Sequence, residues 1–353
     1  MDCVTSHVIA SVSILDVLRR QEEGWPMVDV RSPKEFLKGH LPSAINIPLF
    51  SDEERHQIGK LYKQTGRDAA FLKGLELVGP KMADFVRKAQ EISPQGKLLV
   101  HCWRGGMRSQ SMAWLWQQAG LQVEVLAGGY KAFRTYLLED LARPLQLIVV
   151  GGKTGCGKTE LLQGLEAVGE QVIDLEGLAN HKGSAFGGIG QEMQPTVEQF
   201  ENDLWQRVQQ LDNLRRIWVE DESHSIGRVY LPQGFWKQMQ EAPVTVIEKT
   251  SENRLDRLIE DYASFPIDSL TEAVQKIRKR IGGQAYQDAI LALEQRDFRT
   301  TATLALKYYD KAYEHGLKKR KAIPIHFLPL GTHSLPQDVQ ELIQFADTHI
   351  SPP

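Results

Sequence analysis

The stretch Gly152-Lys153-Thr154-Gly155-Cys156-Gly157-Lys158-Thr159 leaves this chain few folds to choose from. It matches all eight positions of a phosphate-binding P-loop. It follows an apolar run, residues 145–150, that reads as a strand, and it precedes an apolar-periodic segment, 159–168, that reads as a helix. Strand, glycine-rich turn and helix are the context in which backbone N–H groups cradle a diphosphate. Lys158 would neutralise that diphosphate, and Thr159 is the residue that would ligate a Mg²⁺. Cys156 occupies a free position of the motif and reads as filler. Residues 216–222 supply a second strand ending in three acids, of which Glu220 and Asp221 are the candidates for a base or a metal-bound water. A solvated strand end explains those charges equally well. Residues 172–176 read as a similar strand with Asp174 at its tip, and the glycine-rich stretch 181–190 as either a mobile loop over the site or a plain connection.

A second loop lies upstream. The apolar strand Lys97-Leu98-Leu99-Val100-His101 delivers Cys102, and Trp103-Arg104-Gly105-Gly106-Met107-Arg108 follow it. A helix over 109–119 comes next. Such a turn points successive N–H groups inward at a helix N-terminus and makes an anion cradle. Arg104 or Arg108 beside it would favour the thiolate, the nucleophilic form of cysteine. Gly105 and Gly106 are expected to let the backbone turn that tightly. A lone cysteine at a strand end is more often structural. Two glycines and two arginines within six residues turn the balance towards chemistry.

The surrounding pattern is strand-helix alternation, so the fold class is α/β with parallel sheets. Residues 25–31 read as a strand, and Ser32-Pro33-Lys34-Glu35 as a helix start with a capping box. Residues 44–48 and 123–126 read as further strands, 8–18 as a first strand or helix, and 131–141 as a helix. At 353 residues two domains are expected. They are placed at 1–140 and at 141–353, the second with a helical, locally basic C-terminal region. The basic runs are 276–280 and 316–321. Trp236, Tyr286, Tyr308, Tyr309 and Tyr313 share that half, and read as core rather than base-stacking platforms. The net charge of −3 excludes a broadly basic nucleic-acid binder but not a local basic face. Three cysteines without metal-ligand or disulfide spacing fit a reducing cytoplasm. No apolar run is long enough to span a membrane, and no basic region marks a signal peptide.

Residues 28–36, 39–48 and the Cys102 loop together resemble a rhodanese domain. Ser43 stands where rhodaneses more often carry glycine. The Cys102–Arg108 spacing is one residue longer than the usual sulfurtransferase loop and is similar to that of rhodanese-related cell-cycle phosphatases, whose wider cradle accepts phosphate. That room would suit a phosphate-bearing selenium donor. With a P-loop domain fused behind it, and with the segments 180–187, 220–227 and 308–310, nearly the whole chain resembles the tRNA 2-selenouridine synthase family.

The resemblance implies a transferase that replaces the sulfur of 2-thiouridine, at the wobble position of tRNAs for Lys, Glu and Gln, with selenium. It implies passage through S-geranyl-2-thiouridine, with geranyl diphosphate and selenophosphate as substrates and no tightly bound cofactor. Cys102 would carry selenium as a perselenide, with Arg104, Gly105, Gly106 and Arg108 holding the donor. The P-loop would bind the diphosphate of geranyl diphosphate. The prenyl pocket is expected to be apolar and to lie between the domains. Partners would be tRNA and an enzyme supplying selenophosphate, the basic runs contacting RNA phosphates, and the protein is expected to be a monomer. Two alternatives remain open: an ATP-dependent tRNA sulfurtransferase, and a phosphatase-like or kinase-like regulatory module that does not touch RNA.

Overall fold

The computed structural model describes residues 9–320, 323–330 and 334–350. Cys3 and Lys321 fall outside them. The chain divides into two compact units, Met1–Asp140 and Leu141–Pro353.

The first unit is built on strands β1 (Ala10–Val12), β2 (Met27–Asp29), β3 (Ile45–Asn46), β4 (Lys97–His101) and β5 (Gln122–Leu126). They form one sheet in the order β1-β5-β4-β2-β3, every pair parallel. Helices α1 (Ile14–Glu22), α2 (Pro33–Lys38), α3 (Asp52–Gln64), α4 (Arg67–Val78), α5 (Met82–Ile92), α6 (Met107–Gln118) and α7 (Gly129–Asp140) connect them. Strand β4 is central and buried from Leu98 to His101. Its apolar residues join Val28, Val123, Met112 and Trp116 in a single core. The capping box at α2 forms as read: the Ser32 N–H donates to the Glu35 carboxylate at 3.1 Å. Strands β2 and β3 are shorter than their apolar runs, and α6 begins two residues early, at Met107. Ser43 adopts φ +59°, the left-handed region in which a glycine is least strained.

The second unit carries β6 (Leu147–Gly152), β7 (Gln171–Ile173), β8 (Ile217–Glu220), the hairpin β9 (Ser225–Ile226) and β10 (Val229–Tyr230), β11 (Val244–Glu248) and β12 (Ile325–Pro329). Its main sheet runs β12-β11-β6-β8-β7, all parallel. Its helices are α8 (Lys158–Ala167), α9 (Leu175–Leu178), α10 (Val197–Gln209), α11 (Gln233–Glu241), α12 (Ser251–Tyr262), α13 (Ile267–Ile281), α14 (Gly283–Glu294), α15 (Phe298–Lys319) and α16 (Leu335–His349). The C-terminal part is helical as expected, from α12 to α16, and β11 and β12 within it complete the sheet, β11 pairing directly with β6. One expectation needs correction. The run expected as a strand over 172–176 stops at Ile173. Asp174 instead caps α9, accepting the Gly177 N–H at 2.7 Å, a favoured use of a short carboxylate.

Among the described residues no helix is long and apolar enough to cross a membrane.

Candidate functional site

Both loops sit at the carboxyl ends of central parallel strands, where open α/β sheets place their ligands. Each is described within its own unit.

In the first unit Cys102 follows β4 as a free thiol, 3% exposed. The loop curls from it to the start of α6. The Ser109 hydroxyl, on the first turn of α6, donates to Cys102 Sγ at 3.3 Å. Gly105 is required here. It has φ +66°, and a Cβ would lie 2.7 Å from the Leu126 carbonyl oxygen. Gly106 is not: its φ is −92°, and a Cβ there meets nothing within 4 Å. Arg104 is exposed. Arg108 is held by Glu35, its two terminal nitrogens 2.6 and 3.2 Å from the carboxylate. Burial pushes the Glu35 carboxyl up, but Arg108 outweighs it and holds the group below the usual carboxylate range. An anion entering the loop must therefore share Arg108 with Glu35. Behind Cys102, burial depresses the imidazole of His101 even though the Asp29 carboxylate is 3.6 Å away.

In the second unit the P-loop joins β6 to α8. Gly157, the N-cap of α8, has φ +86°. Lys158 Nζ lies 3.4 Å from the Gly152 carbonyl oxygen. Burial alone would lower its ammonium. The charges of Cys156, Glu176, Glu222 and Asp221 overcome this and raise it. Cys156 is buried in the core of the unit, as filler would be. Lys153 points elsewhere, to Glu314 at 2.8 Å. Arg254 Nε donates to the Thr154 carbonyl oxygen at 2.8 Å and so fixes the turn to α12.

The acids differ from expectation. Glu220 is 2% exposed, and one of its oxygens accepts the Glu176 N–H at 2.6 Å. It does not line the cavity at the P-loop. Burial and the nearby Asp174 push its carboxyl well up. Asp221 does line the cavity but is paired with Arg320. That pair buries Arg320 to 5% side-chain exposure, so it is lost to the basic run expected to face RNA. Glu176 and Glu222 line the same cavity. Thr159 Oγ1 donates to Glu176 at 3.3 Å. A Cβ on Gly183 would meet both Glu222 oxygens at 2.6 Å and Glu176 Oε1 at 2.9 Å, so the two carboxylates are close neighbours. Burial and Glu176 push the Glu222 carboxyl well above its ordinary range. One hydroxyl and two carboxylates form a hard oxygen set that fits Mg²⁺, which is commonly held by one or two carboxylates plus substrate phosphates. Among the described residues no group of three His, Cys, Asp or Glu side chains forms a complete metal cage.

The P-loop opens into a cavity of about 420 Å³. An apolar arm of its lining comes from α13 to α15: Leu270, Leu293, Phe298, Ala302 and Leu306. The glycine-rich stretch 181–190 forms its lid. The lid is pinned: Phe186 and Ile189 pack into a helical cluster with Val274 and Leu293. The Ala185 N–H donates to Tyr309 Oη at 3.0 Å, and Lys182 Nζ stands 5.8 Å from the Tyr262 ring centre. Sequence reading missed this apolar arm and placed such a pocket between the domains. The cavity belongs wholly to the second unit. The signal was confined to Ala302 and Leu306, four residues apart in 301–306, and such a spacing is not distinguishable from core by periodicity alone.

Two family models match the chain: a rhodanese-like domain over residues 13–136 and the tRNA 2-selenouridine synthase AAA domain over 145–328. Similar curated proteins include tRNA 2-selenouridine synthases from Shewanella denitrificans, 37% identical over 84% of this chain and 89% of the relative, and from Bordetella petrii, 38% identical over 86% and 89%. A third, from Sulfurovum sp., is 36% identical over 83% and 89%. With this identity over most of both chains, and with both loops on their expected strands, the chain belongs to the tRNA 2-selenouridine synthase family.

Proposed function

We propose that this protein is an enzyme acting on tRNA that converts 2-thiouridine at the wobble position of tRNAs for Lys, Glu and Gln into 2-selenouridine, with S-geranyl-2-thiouridine as intermediate. The observation that carries the prenyl step is the lining of the P-loop cavity. The P-loop residues Gly155, Gly157, Lys158 and Thr159 share it with an apolar set from α13 to α15. A diphosphate joined to a hydrocarbon chain matches both kinds of lining.

The chemistry follows from the two loops. The base sulfur attacks C1 of geranyl diphosphate. The S–C bond forms, the C–O bond breaks, and pyrophosphate leaves with the electron pair. Lys158 and the P-loop N–H groups stabilise the charge that develops on the leaving oxygen. Mg²⁺, when bound, adds neutralising charge; Thr159, Glu176 and Glu222 would hold it. Alkylation leaves C2 more electrophilic and gives it a thiolate leaving group. A selenium nucleophile then adds at C2 and expels geranylthiol.

Cys102 handles the selenium donor. Selenophosphate carries selenium at the selenide level, so making a Cys102 perselenide from it would require removal of two electrons. Attack of the thiolate on phosphorus requires none. The S–P bond forms, the P–Se bond breaks, selenide leaves with the pair and adds to C2, and water hydrolyses the phosphocysteine. The longer Cys102–Arg108 loop and the Ser109 hydroxyl donating to Sγ support this form of the step. The exposed basic residues at the C-terminal end of α13, Arg278 to Arg280, and Lys318 and Lys319 of α15 are the proposed RNA phosphate contacts.

The test separates the two steps. Lys158→Ala should abolish geranylation of 2-thiouridine tRNA and leave selenation of pre-geranylated tRNA intact, read by mass spectrometry of the nucleosides. Cys102→Ala should do the reverse. Loss of both steps in each variant, or ATP turnover that depends on tRNA, would overturn the assignment.

A further inference from the structure

Helix α12 crosses the P-loop with one face. Arg254, Arg257 and Leu258 are three and four residues apart and share that face. Arg254 is the anchor. Besides its bond to Thr154, it grips Asp310 of α15 with two nitrogens at 3.0 and 2.6 Å. Gly155 lies directly beneath: a Cβ there would come 3.0 Å from the Arg254 carbonyl oxygen and 3.2 Å from Leu258 Cγ. One turn further on, Arg257 stands over Gly157. A Cβ on Gly157 would be 2.9 Å from an Arg257 guanidinium nitrogen and 3.2 Å from a Glu160 carboxylate oxygen. Arg257 and Glu160 form an ion pair, and both line the P-loop cavity. Their side chains keep 25% and 43% exposure, so each can turn.

The position of Arg257 is electrostatically costly by itself. Gly157 caps the N-terminus of α8, the positive end of the helix dipole, which repels a cation. Lys158 adds a second positive charge beside it. Among the described residues Glu160 is the carboxylate paired with Arg257 there. A polyvalent anion in the loop would offset both positive neighbours and offer Arg257 a second partner of opposite charge.

We infer that Arg257 is a second cation for the diphosphate, and that Glu160 competes with the ligand for it. Arg257 turns from the carboxylate to the pyrophosphate, where it shares the leaving-group charge with Lys158. The inference rests on the reading of the P-loop as a diphosphate site and adds to it a named binding residue and its internal competitor.

Inorganic pyrophosphate is the probe, titrated calorimetrically against the full-length protein. Arg257→Ala should weaken binding about tenfold or more, the usual scale for losing a charge-assisted hydrogen bond. Arg257→Lys should recover part of it. Glu160→Gln should tighten binding severalfold, and the double variant should bind no better than Arg257→Ala. Opposite signs for the two members of one ion pair are the signature, because a purely structural pair would lose affinity from either side. Unchanged affinity in Arg257→Ala, or weakening in Glu160→Gln, overturns the inference while the diphosphate reading stands. A wild-type protein that does not bind pyrophosphate overturns both.

Discussion

Filling the apolar arm should cost prenyl affinity and nothing else. Ala302 lies on α15, half-buried, among the apolar residues that line the cavity. In a space of about 420 Å³, an indole at this position in Ala302→Trp occupies a large share of the arm and leaves the phosphate end untouched. If it excludes roughly four prenyl carbons, at about 0.8 kcal/mol each, the loss is about 3 kcal/mol. At roughly 1.4 kcal/mol per tenfold, this is about a hundredfold in affinity. The assay is steady-state geranylation of 2-thiouridine tRNA, with KM measured for geranyl diphosphate and inhibition measured for inorganic pyrophosphate. KM should rise about a hundredfold, inhibition by pyrophosphate should be unchanged, and dimethylallyl diphosphate should become the better substrate. Selenation of pre-geranylated tRNA should proceed at the wild-type rate. Unchanged pyrophosphate inhibition also establishes that the variant is folded. An unaltered KM for geranyl diphosphate, or an equal loss of pyrophosphate affinity, would refute the placement of the prenyl chain.

Two further outcomes are expected. Ser43→Gly removes a side chain from a left-handed backbone position on the surface, and should stabilise the first unit by about 0.5–1 kcal/mol after the entropy of glycine is subtracted; a denaturant titration showing no change or a loss would contradict the strain argument. The Glu222 carboxyl is raised by burial and by Glu176, so above the ordinary carboxylate range the native state retains a proton that the unfolded chain has released, and stability falls as pH rises towards the raised value. Glu222→Gln should make the decline in Tm from about pH 5 upwards shallower, and parallel wild-type and variant profiles would show that Glu222 is not the group responsible.

Much of the architecture was legible because each loop announces its own context. A P-loop needs a strand before it and a helix after it, and residues 147–167 supply both. The apolar strand before Cys102 and the capping box at Ser32 did the same for the first unit. What escaped was set by tertiary contact. Strand β11 is a short apolar run that becomes a sheet member because β6 lies on one side of it and β12 on the other. Glu220 and Glu222 are two residues apart on one chain segment and look equivalent in sequence. One accepts the backbone N–H of Glu176 at the start of α9, whereas the other lies beside the Glu176 carboxylate and lines the cavity. Arg108 looks like a free anion ligand until Glu35, far away in sequence, is seen to hold it.

The same reasoning bears on why an eight-residue loop motif does not by itself decide a substrate. Backbone N–H groups and a lysine recognise a diphosphate, and they do so whatever is attached to it. Discrimination falls to whatever borders the far side of the phosphates. In this protein that border is α12 to α15, where the apolar Leu270, Leu293, Phe298, Ala302 and Leu306 line the cavity together with the polar Asp261, Thr301 and Tyr309; the apolar residues are the ones that separate the two ligand classes. A hydrocarbon loses water there at no polar cost, whereas a nucleoside would leave its ring nitrogens and hydroxyls unpaired, at about 1–3 kcal/mol for each buried group. Two such groups already amount to several kcal/mol, comparable to the binding energy that a geranyl chain gains by burial. On the function proposed above, the apolar part of this wall would favour a prenyl chain over a nucleotide, and the preference would come from helices that carry no recognisable motif.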